Sequence, residues 1–315
     1  MKKLLAVLLL LPGIALAQYP TKPIRIVVPF APGGVADITT RLIAPELSKS
    51  LGQQVYVENK PGAGGVLASS DIAHAAPDGY SLLLITNGNA TSQALYKSLP
   101  YDPLKDFAMI STVGFFGLAI VTDPKSPVRS VQDLVAAAKA KPGDYNVGSI
   151  VIGSTQYLAA ALFRSQAGID VQLVPYKTSP DVLVALKNQD LLASFEILAP
   201  LMPQIRAGNV RALAVTASKR YPGLPDVPTV IESGLPGYDV SSWNGLAAPA
   251  KTPAAVIEQL NQAAVKAIAT PELQKRFGEV GVEARSSTPK ELHDFFASEA
   301  ARWTRVVEAA KIPKQ

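Results

Sequence analysis

Two periodicities of apolar residues organise the first third of the chain. Short apolar runs predict β-strands over residues 24–28, 54–58 and 82–86. Between these runs, apolar residues spaced three and four apart predict helices over residues 36–51 and 66–75. This β-α-β-α-β alternation is typical of a parallel sheet that is covered by helices.

The same alternation begins again in the middle of the chain. Strands are predicted over residues 116–121, 146–149, 171–175, 192–195 and 211–216, and helices over 131–140, 155–167 and 181–187. A strand-like stretch at 238–248 precedes helices predicted over 253–269, 271–280 and 289–309. The pattern therefore predicts an α/β protein of two lobes, linked by crossings near 120–123 and 238–243. Lobe I is assigned residues 18–121 plus 243–315, and lobe II residues 122–242.

The N-terminus has the pattern of an export signal. Lys2 and Lys3 precede the apolar run Leu4–Leu11, and Ala15-Leu16-Ala17 is a small-x-small cleavage site. The apolar run is too short to span a bilayer. We therefore predict that residues 1–17 form a signal peptide and that the mature protein is soluble in the periplasm.

Composition narrows the class of protein further. With 48% hydrophobic and 17% charged residues, the chain has enough apolar material for a sizeable core. Loss of Lys2 and Lys3 with the signal lowers the formal charge from +5 to +3, and the basic residues are scattered. We therefore expect no nucleic-acid partner. The absence of cysteine excludes disulfides, thiolate metal sites and a lipid anchor on an N-terminal cysteine. We expect a monomer with no cofactor and no metal.

A glycine-rich segment, PFAPGGVAD at residues 29–37, connects the first predicted strand to the first helix. Gly33 and Gly34 let the backbone turn sharply and expose its N–H groups. Together with the helix N-terminus they would form an anion site that includes Phe30 and Asp37. In the alternative interpretation this is an ordinary turn, in which Asp37 caps the helix and pairs with Arg41.

A second segment of this kind, GSIVIGST at residues 148–155, connects a strand to a helix in lobe II. Ser149, Ser154 and Thr155 offer hydroxyl groups beside that helix N-terminus, and Ile150 lies between them. A plain Ser/Thr N-cap is the alternative. Two such loops, one in each lobe, could close on a carboxylate.

Other polar residues follow predicted strands, at the edge where open α/β sheets bind ligands. Asn87 and Asn89 are candidate hydrogen-bond donors, although an Asx turn would explain them equally well. Tyr176, Phe195 and Glu196 also lie at strand ends and are candidate ligand contacts.

The sequence offers little material for catalysis. His74 and His293 are the only histidines, and both fall in predicted helices. No nucleophile elbow, phosphate loop or His-Glu-x-x-His metal motif occurs. We therefore predict a binding protein rather than an enzyme. A secreted α/β hydrolase that uses a Ser or Asp, and a sensory ligand-binding receptor, are the alternatives.

Several short motifs in order resemble the Bug (TctC-type) family of periplasmic solute receptors, which serve tripartite tricarboxylate transporters. They are YPTKPIR at 19–25, PFAPGGVAD at 29–37, ENKPGAGG at 58–65, PDGY at 77–80, LPYDPLKDF at 99–107 and PDVPT at 225–229. The resemblance implies a type II periplasmic-binding-protein fold, with two hinged lobes and a cleft between them. It also implies a small organic carboxylate, held by backbone amides and hydroxyls of the two glycine-rich loops, and membrane transporter subunits as partners.

The chain departs from the family pattern at positions that bear on the ligand. Ile150 and Val151 stiffen the second loop and make it more apolar. Glu196 follows Phe195 where the family frequently has aspartate, and Asn89 stands where the family has histidine. We expect an aromatic or medium-chain mono- or dicarboxylate rather than citrate, because the ligand body would lie near apolar or aromatic side chains, namely Phe30, Ile150, Val151, Tyr157 and Phe195.

Overall fold

The structure, a computed structural model, describes residues 19–309 and 312–315, and the predicted signal peptide lies outside these ranges. The strands are β1 (Ile24–Val28), β2 (Val55–Asn59), β3 (Ser81–Thr86), β4 (Phe107–Thr122), β5 (Asn146–Ile150), β6 (Gln172–Tyr176), β7 (Ala193–Ile197), β8 (Arg211–Val215), β9 (Ser241–Pro249) and β10 (Val282–Ala284). The helices are α1 (Val35–Leu51), α2 (Val66–Ala73), α3 (Asn87–Leu95), α4 (Val131–Ala140), α5 (Thr155–Ala167), α6 (Ser179–Lys187), α7 (Leu198–Arg206), α8 (Ala254–Ile268), α9 (Pro271–Glu279) and α10 (Pro289–Ala309).

The described strands form a mixed sheet in the order β2-β1-β3-β9-β4-β7-β5-β6, with β8 and β10 both paired to β4. The predicted parallel pairings are confirmed, because β1 runs parallel to β2 and β3, and β5 runs parallel to β6 and β7. The two central strands, β4 and β9, are antiparallel to their neighbours. The carboxyl ends of β1 and β3 therefore meet at one edge, and those of β5, β6 and β7 at another.

Strand β4 joins two halves of the sheet. Its residues 107–117 pair with β9, and its residues 118–122 pair with β7 and β8. We call β1, β2, β3, β9, β10 and the first part of β4 the first half-sheet, and the remaining strands with the end of β4 the second half-sheet. The chain passes between them at Gly117–Leu118 and again just before Ser241.

Buried apolar clusters cover both faces of each half-sheet. In the first, α1, α8 and α9 pack on one face, and α2 with the start of α10 on the other. In the second, α4 and α5 pack on one face, and α6 and α7 on the other. Because both faces are covered, the strands read as nearly continuous apolar runs, as in β3, where Leu82–Thr86 is buried throughout.

Helix α10 was predicted from the sequence, but its contact with both half-sheets was not. Phe296, in its first half, packs edge-on against Trp243 of β9. Trp303, in its second half, belongs to the core of the second half-sheet. After the helix, the N–H of Gln315 donates to the carbonyl of Leu95 at 2.8 Å, which ties the C-terminus to α3. The end of the chain, assigned to lobe I from the sequence, thus contacts both half-sheets.

Candidate functional site

The loop between β1 and α1 is organised by Asp37. Gly33 has φ +87, and its N–H donates to Asp37 Oδ2 at 2.9 Å. Arg41 Nε and Asn59 Nδ2 donate to Asp37 Oδ1, each at 2.9 Å. Burial opposes ionisation of this carboxyl, yet these hydrogen bonds hold its pKa below the ordinary value. Asp37 is therefore an internal anion at the start of α1. Its bond with Arg41 is the pairing expected in the alternative interpretation, whereas the N-cap residue of the helix is Gly34.

Gly34 is the position of this loop that remains open. Its backbone is extended, with φ −80 and ψ 167, a conformation that any residue adopts. A Cβ atom added there would meet nothing closer than the Ala31 carbonyl oxygen at 3.9 Å. Neither the backbone nor the packing requires glycine here, so a side chain at this position would fill free space at the N-terminus of α1. Phe30 is half-buried beside it.

Helix α3 begins directly at the end of β3. Thr86 is its N-cap, and Asn89 Oδ1 accepts from the Thr86 N–H at 2.7 Å while its Nδ2 donates to Ser69 Oγ at 2.7 Å. Both polar atoms of the Asn89 side-chain amide thus have partners inside the fold, so we leave Asn89 out of the proposed site. The fully buried side chain of Asn87 keeps an unpartnered Oδ1.

Helix α5 starts opposite α3. Ser154 is its N-cap and accepts from the N–H of Tyr157 at 3.1 Å. Thr155 Oγ1 accepts from Asn87 Nδ2 at 3.3 Å and lies 2.8 Å from Ser242 Oγ on β9. The first N–H groups of a helix have no partner within the helix, and they carry its partial positive charge. Two such helix starts, from the two half-sheets, therefore converge on one place, and the arrangement favours an anion.

The glycine-rich segment at residues 61–65 makes a second approach between the half-sheets. Tyr96 hydroxyl donates to the carbonyl of Ala63 at 2.7 Å. A Cβ atom added at Gly64 would lie 3.0 Å from the carbonyl oxygen of Ile152, in the loop before α5. Sequence reasoning recognised this segment only as a family motif. Its close approach follows from the position of β2 beside β1, which no local pattern indicates.

The end of β7 places Phe195 and Glu196 on opposite faces of the sheet, as successive strand residues must be. Phe195 is fully buried and packs against Phe163 of α5, with ring centroids 5.4 Å apart. It is a core residue, so we leave it out of the proposed site. Glu196 is also fully buried, and Ser179 Oγ of α6 donates to its Oε2 at 2.7 Å.

The remaining predicted residues lie near Glu196. Ile150 and Tyr176 are register partners on β5 and β6, both half-buried, and both pack against the α6–α7 side of the second half-sheet. Ser149 is fully buried, and its hydroxyl donates to the carbonyl of Ile150 at 3.2 Å. The structure thus brings Ile150, Tyr176 and Glu196 to the carboxyl ends of β5, β6 and β7, on the α6–α7 side of the second half-sheet.

Neither histidine lies in a cluster of potential metal ligands among the described residues. His74 directly follows α2 and His293 lies on α10, and both are exposed. Across residues 19–309 and 312–315, no group of three or more His, Asp or Glu side chains is placed to hold a metal ion. Within the same ranges, no helix is both long and apolar enough to cross a bilayer.

Comparison with known proteins identifies the family. The model of the tripartite tricarboxylate transporter family receptor, TctC, matches residues 39–312. The chain belongs to this family. Protein BugT of Bordetella pertussis (strain Tohama I) is 37% identical to this TctC-family chain over 291 residues, 92% of the chain and 89% of BugT.

Solved structures agree with this assignment. R. palustris Rpa4515 with adipate has a TM-score of 0.88 and 32% identity to this TctC-family chain, covering 94% of it and 100% of Rpa4515. MatC (Rpa3494) from Rhodopseudomonas palustris with bound malate has a TM-score of 0.85 and 32% identity, covering 92% of the chain and 100% of MatC. This TctC-family chain therefore has the mixed α/β periplasmic-binding-protein fold and is a periplasmic solute-binding receptor of the TctC/Bug type.

Proposed function

We propose that this chain captures a small organic carboxylate between two lobes and presents it to the membrane subunits of a tripartite-tricarboxylate-type transporter. One observation carries the proposal: α3 and α5, which follow β3 and β5 of different half-sheets, begin next to each other and are joined by the hydrogen bond from Asn87 to Thr155. A carboxylate placed there would neutralise two converging helix N-termini.

The carboxylate would be bound by hydrogen-bond donors at the helix N-termini. Backbone N–H groups in the first turns of α1, α3 and α5 can donate to carboxylate oxygens, and the Thr155 hydroxyl can add a further bond. The open space at Gly34 lets an oxygen approach the backbone closely. Removal of water on closure strengthens each of these contacts, because the local dielectric constant falls.

The lobes proposed from the sequence, residues 18–121 plus 243–315 and residues 122–242, meet at the two strand passages described above. Bending at Gly117–Leu118 and before Ser241 would open the space between α3 and α5. Transporter subunits would then bind the closed receptor, since closure is the change that reports an occupied site. In this proposal the mature chain begins after residue 17 and acts in the periplasm as a monomer.

Related receptors indicate the size of the ligand. Adipate and malate, each bound by a similar protein, are short aliphatic dicarboxylates. Among the side chains on which the preference for an aromatic or medium-chain acid over citrate rests, Phe30, Ile150 and Tyr157 are partly buried, whereas Phe195 lies in the core. We therefore propose a mono- or dicarboxylate of this size.

Isothermal titration of the mature chain tests the proposal. Adipate, malate, a benzoate and citrate should be compared with the corresponding amides, which keep the shape of the acid and lose its charge. We expect at least one acid to bind and its amide to bind far more weakly. Equal binding of acid and amide, or binding of none of a broad panel of acids, would contradict the proposed function.

A further inference from the structure

Glu196 is a buried carboxyl that the fold leaves only half satisfied. Its side chain is fully buried, Oε2 accepts from Ser179 Oγ at 2.7 Å, and Oε1 has no hydrogen-bond partner. Among the residues that the structure describes, no Lys, Arg or His forms an ion pair with it. Burial raises the pKa of this carboxyl to about 7, and the nearby polar groups of Ser179, Gln156 and the Ile197 backbone offset part of the rise.

The position of Glu196 connects it to the proposed carboxylate site. It is the fourth residue of β7, and the parallel pairing of β7 with β5 brings it towards the loop that leads into α5. Gln156, in the first turn of α5, is near enough to Glu196 to lower the pKa of its carboxyl, and its neighbour Thr155 accepts the hydrogen bond from Asn87. Ser179 lies in the first turn of α6. Glu196 therefore lies where α5 and α6 begin, beside the place where α3 and α5 converge.

The fold gives no reason of its own for a carboxyl at this position. The cross-strand partner of Glu196 is Ala119, and the surrounding cluster is apolar, with Val182 of α6 and Leu198 of α7. Ser194, two residues earlier on the same face, also has an unpartnered hydroxyl. A buried carboxyl with one free oxygen destabilises a protein unless a donor reaches it. A donor on the ligand would supply what the chain lacks.

We infer, on the basis of the proposed function, that Glu196 makes this receptor selective for carboxylates that carry a hydrogen-bond donor, a hydroxyl or an ammonium group, within reach of its Oε1. The ligand's carboxylate lies at the start of α3 and α5, and its donor lies against the wall formed by β7. A ligand that places a second carboxylate at this wall is disfavoured, because like charges at close range repel and one of the two must take up a proton.

Two series of acids with constant carbon skeletons test the inference. The first is succinate, L-malate and L-aspartate, and the second is 3-phenylpropionate, 3-phenyllactate and phenylalanine, with adipate as a reference. In the series whose skeleton fits, the acid that carries the donor should bind about tenfold tighter or more than the parent acid. A single hydrogen bond to a charged group changes affinity by about this factor. A preference for the hydroxyl or for the ammonium member tells the two donors apart.

Variants assign the effect to the residue. Glu196→Leu should reduce the difference within a series to less than about twofold. Glu196→Gln, which keeps an acceptor and loses the charge, should retain a hydroxyl preference and lose an ammonium preference. Glu299→Gln is the matched control, because Glu299 is also buried but both of its oxygens have partners, Arg302 and Trp303. This control variant should leave the ratio of affinities between donor-bearing and parent acids unchanged in both series.

The outcomes separate this inference from the proposed function. Parent acids that bind as tightly as donor-bearing acids, or a preference that survives in Glu196→Leu, would overturn the inference. If adipate binds and no donor-bearing acid does, the inference is again overturned while the proposed function stands. If no acid binds at all, adipate included, both are overturned.

Discussion

Asn87 and Thr155 are each the first residue of a helix, and the side chain of Asn87 donates a hydrogen bond to the Thr155 hydroxyl at 3.3 Å. The two helices follow strands of different half-sheets, β3 and β5, so this bond joins the two sides of the proposed cleft. Ser242 Oγ, 2.8 Å from the same hydroxyl, connects the pair to the start of β9, directly after the second passage between the half-sheets. The hydrogen bonds at the proposed anion site thus include a bond next to the proposed hinge.

Removing the Thr155 hydroxyl should weaken closure. In Thr155→Val the shape is kept, but the bonds to Asn87 and Ser242 are lost. We expect several-fold weaker carboxylate binding, and a smaller decrease in radius of gyration on saturation than in the unaltered protein, measured by small-angle scattering. Thr304→Val is the control, since that hydroxyl bonds only within α10, to the carbonyl of Ala300 at 2.8 Å. Equal contraction of Thr155→Val and the unaltered protein would contradict this role.

Gly34→Val should impair binding and leave the fold nearly intact. The backbone at Gly34 is extended and the space around it is free, so we expect a stability change below about 1 kcal/mol. The branched side chain would obstruct the approach of a carboxylate to α1, so affinity should fall about tenfold or more.

Gly168→Val is a control that should lose stability and keep affinity, the reverse of Gly34→Val. Gly168 ends α5 with φ +58, a conformation that costs a branched residue roughly 1–2 kcal/mol. Its thermal midpoint should therefore fall while its affinity for the carboxylate is retained. Parallel loss of stability and affinity in Gly34→Val would mean that the first loop is only a turn.

Asp37 is predicted to stabilise the fold rather than to bind ligand. Asp37→Asn would weaken the bonds from Gly33, Arg41 and Asn59 to a buried acceptor. We expect a loss of roughly 1–3 kcal/mol in the free energy of unfolding, measured by urea denaturation at neutral pH. Because the pKa of Asp37 is lowered in the folded state, its contribution should disappear as the pH falls below its ordinary value of 3.8. The exposed Asp294→Asn should change stability by less than about 0.5 kcal/mol.

The raised pKa of Glu196 predicts that stability depends on pH in the opposite direction. Its pKa is raised from 4.5 to about 7, so between these values the folded protein holds a proton that the unfolded chain has released. The free energy of unfolding of the ligand-free protein should therefore fall as the pH rises through this window, by roughly 3 kcal/mol at most. In Glu196→Gln this fall should be absent, whereas the exposed Glu258→Gln should retain it. A pH profile of Glu196→Gln that matches the unaltered protein would contradict the assignment.

Sequence patterns predicted most elements of this fold because the parallel units have strong local periodicity. The elements they missed have identifiable causes. Asn87-Gly88-Asn89 resembles a turn, yet it opens α3, where Thr86 and Asn89 form a capping box. Pro203 lies inside α7, where proline is unfavourable, and Gly114 lies inside β4. These two residues interrupt the apolar periodicity that would otherwise predict the helix and the full length of the strand. The antiparallel pairing of β4 with β9 joins distant segments, and no local signal indicates it.

The candidate site was predictable in part for the same reason. Ser154 and Thr155 were identified because helix starts have recognisable residues. The burial of Phe195 against Phe163 could not be predicted, because the sequence shows that a residue ends a strand, but not which face of the strand it occupies. The contact of Asn87 with Thr155 depends on how two half-sheets meet, which only the structure shows.

A crystal structure of the mature chain with a bound carboxylate tests the central claim most directly. We predict that the carboxylate oxygens lie within about 3.2 Å of backbone N–H groups in the first turn of α5 and of a helix start from the first half-sheet. The hydroxyl of Thr155 should be within the same distance. A carboxylate held instead by Lys or Arg side chains on one half-sheet, with α3 and α5 apart, would contradict the account.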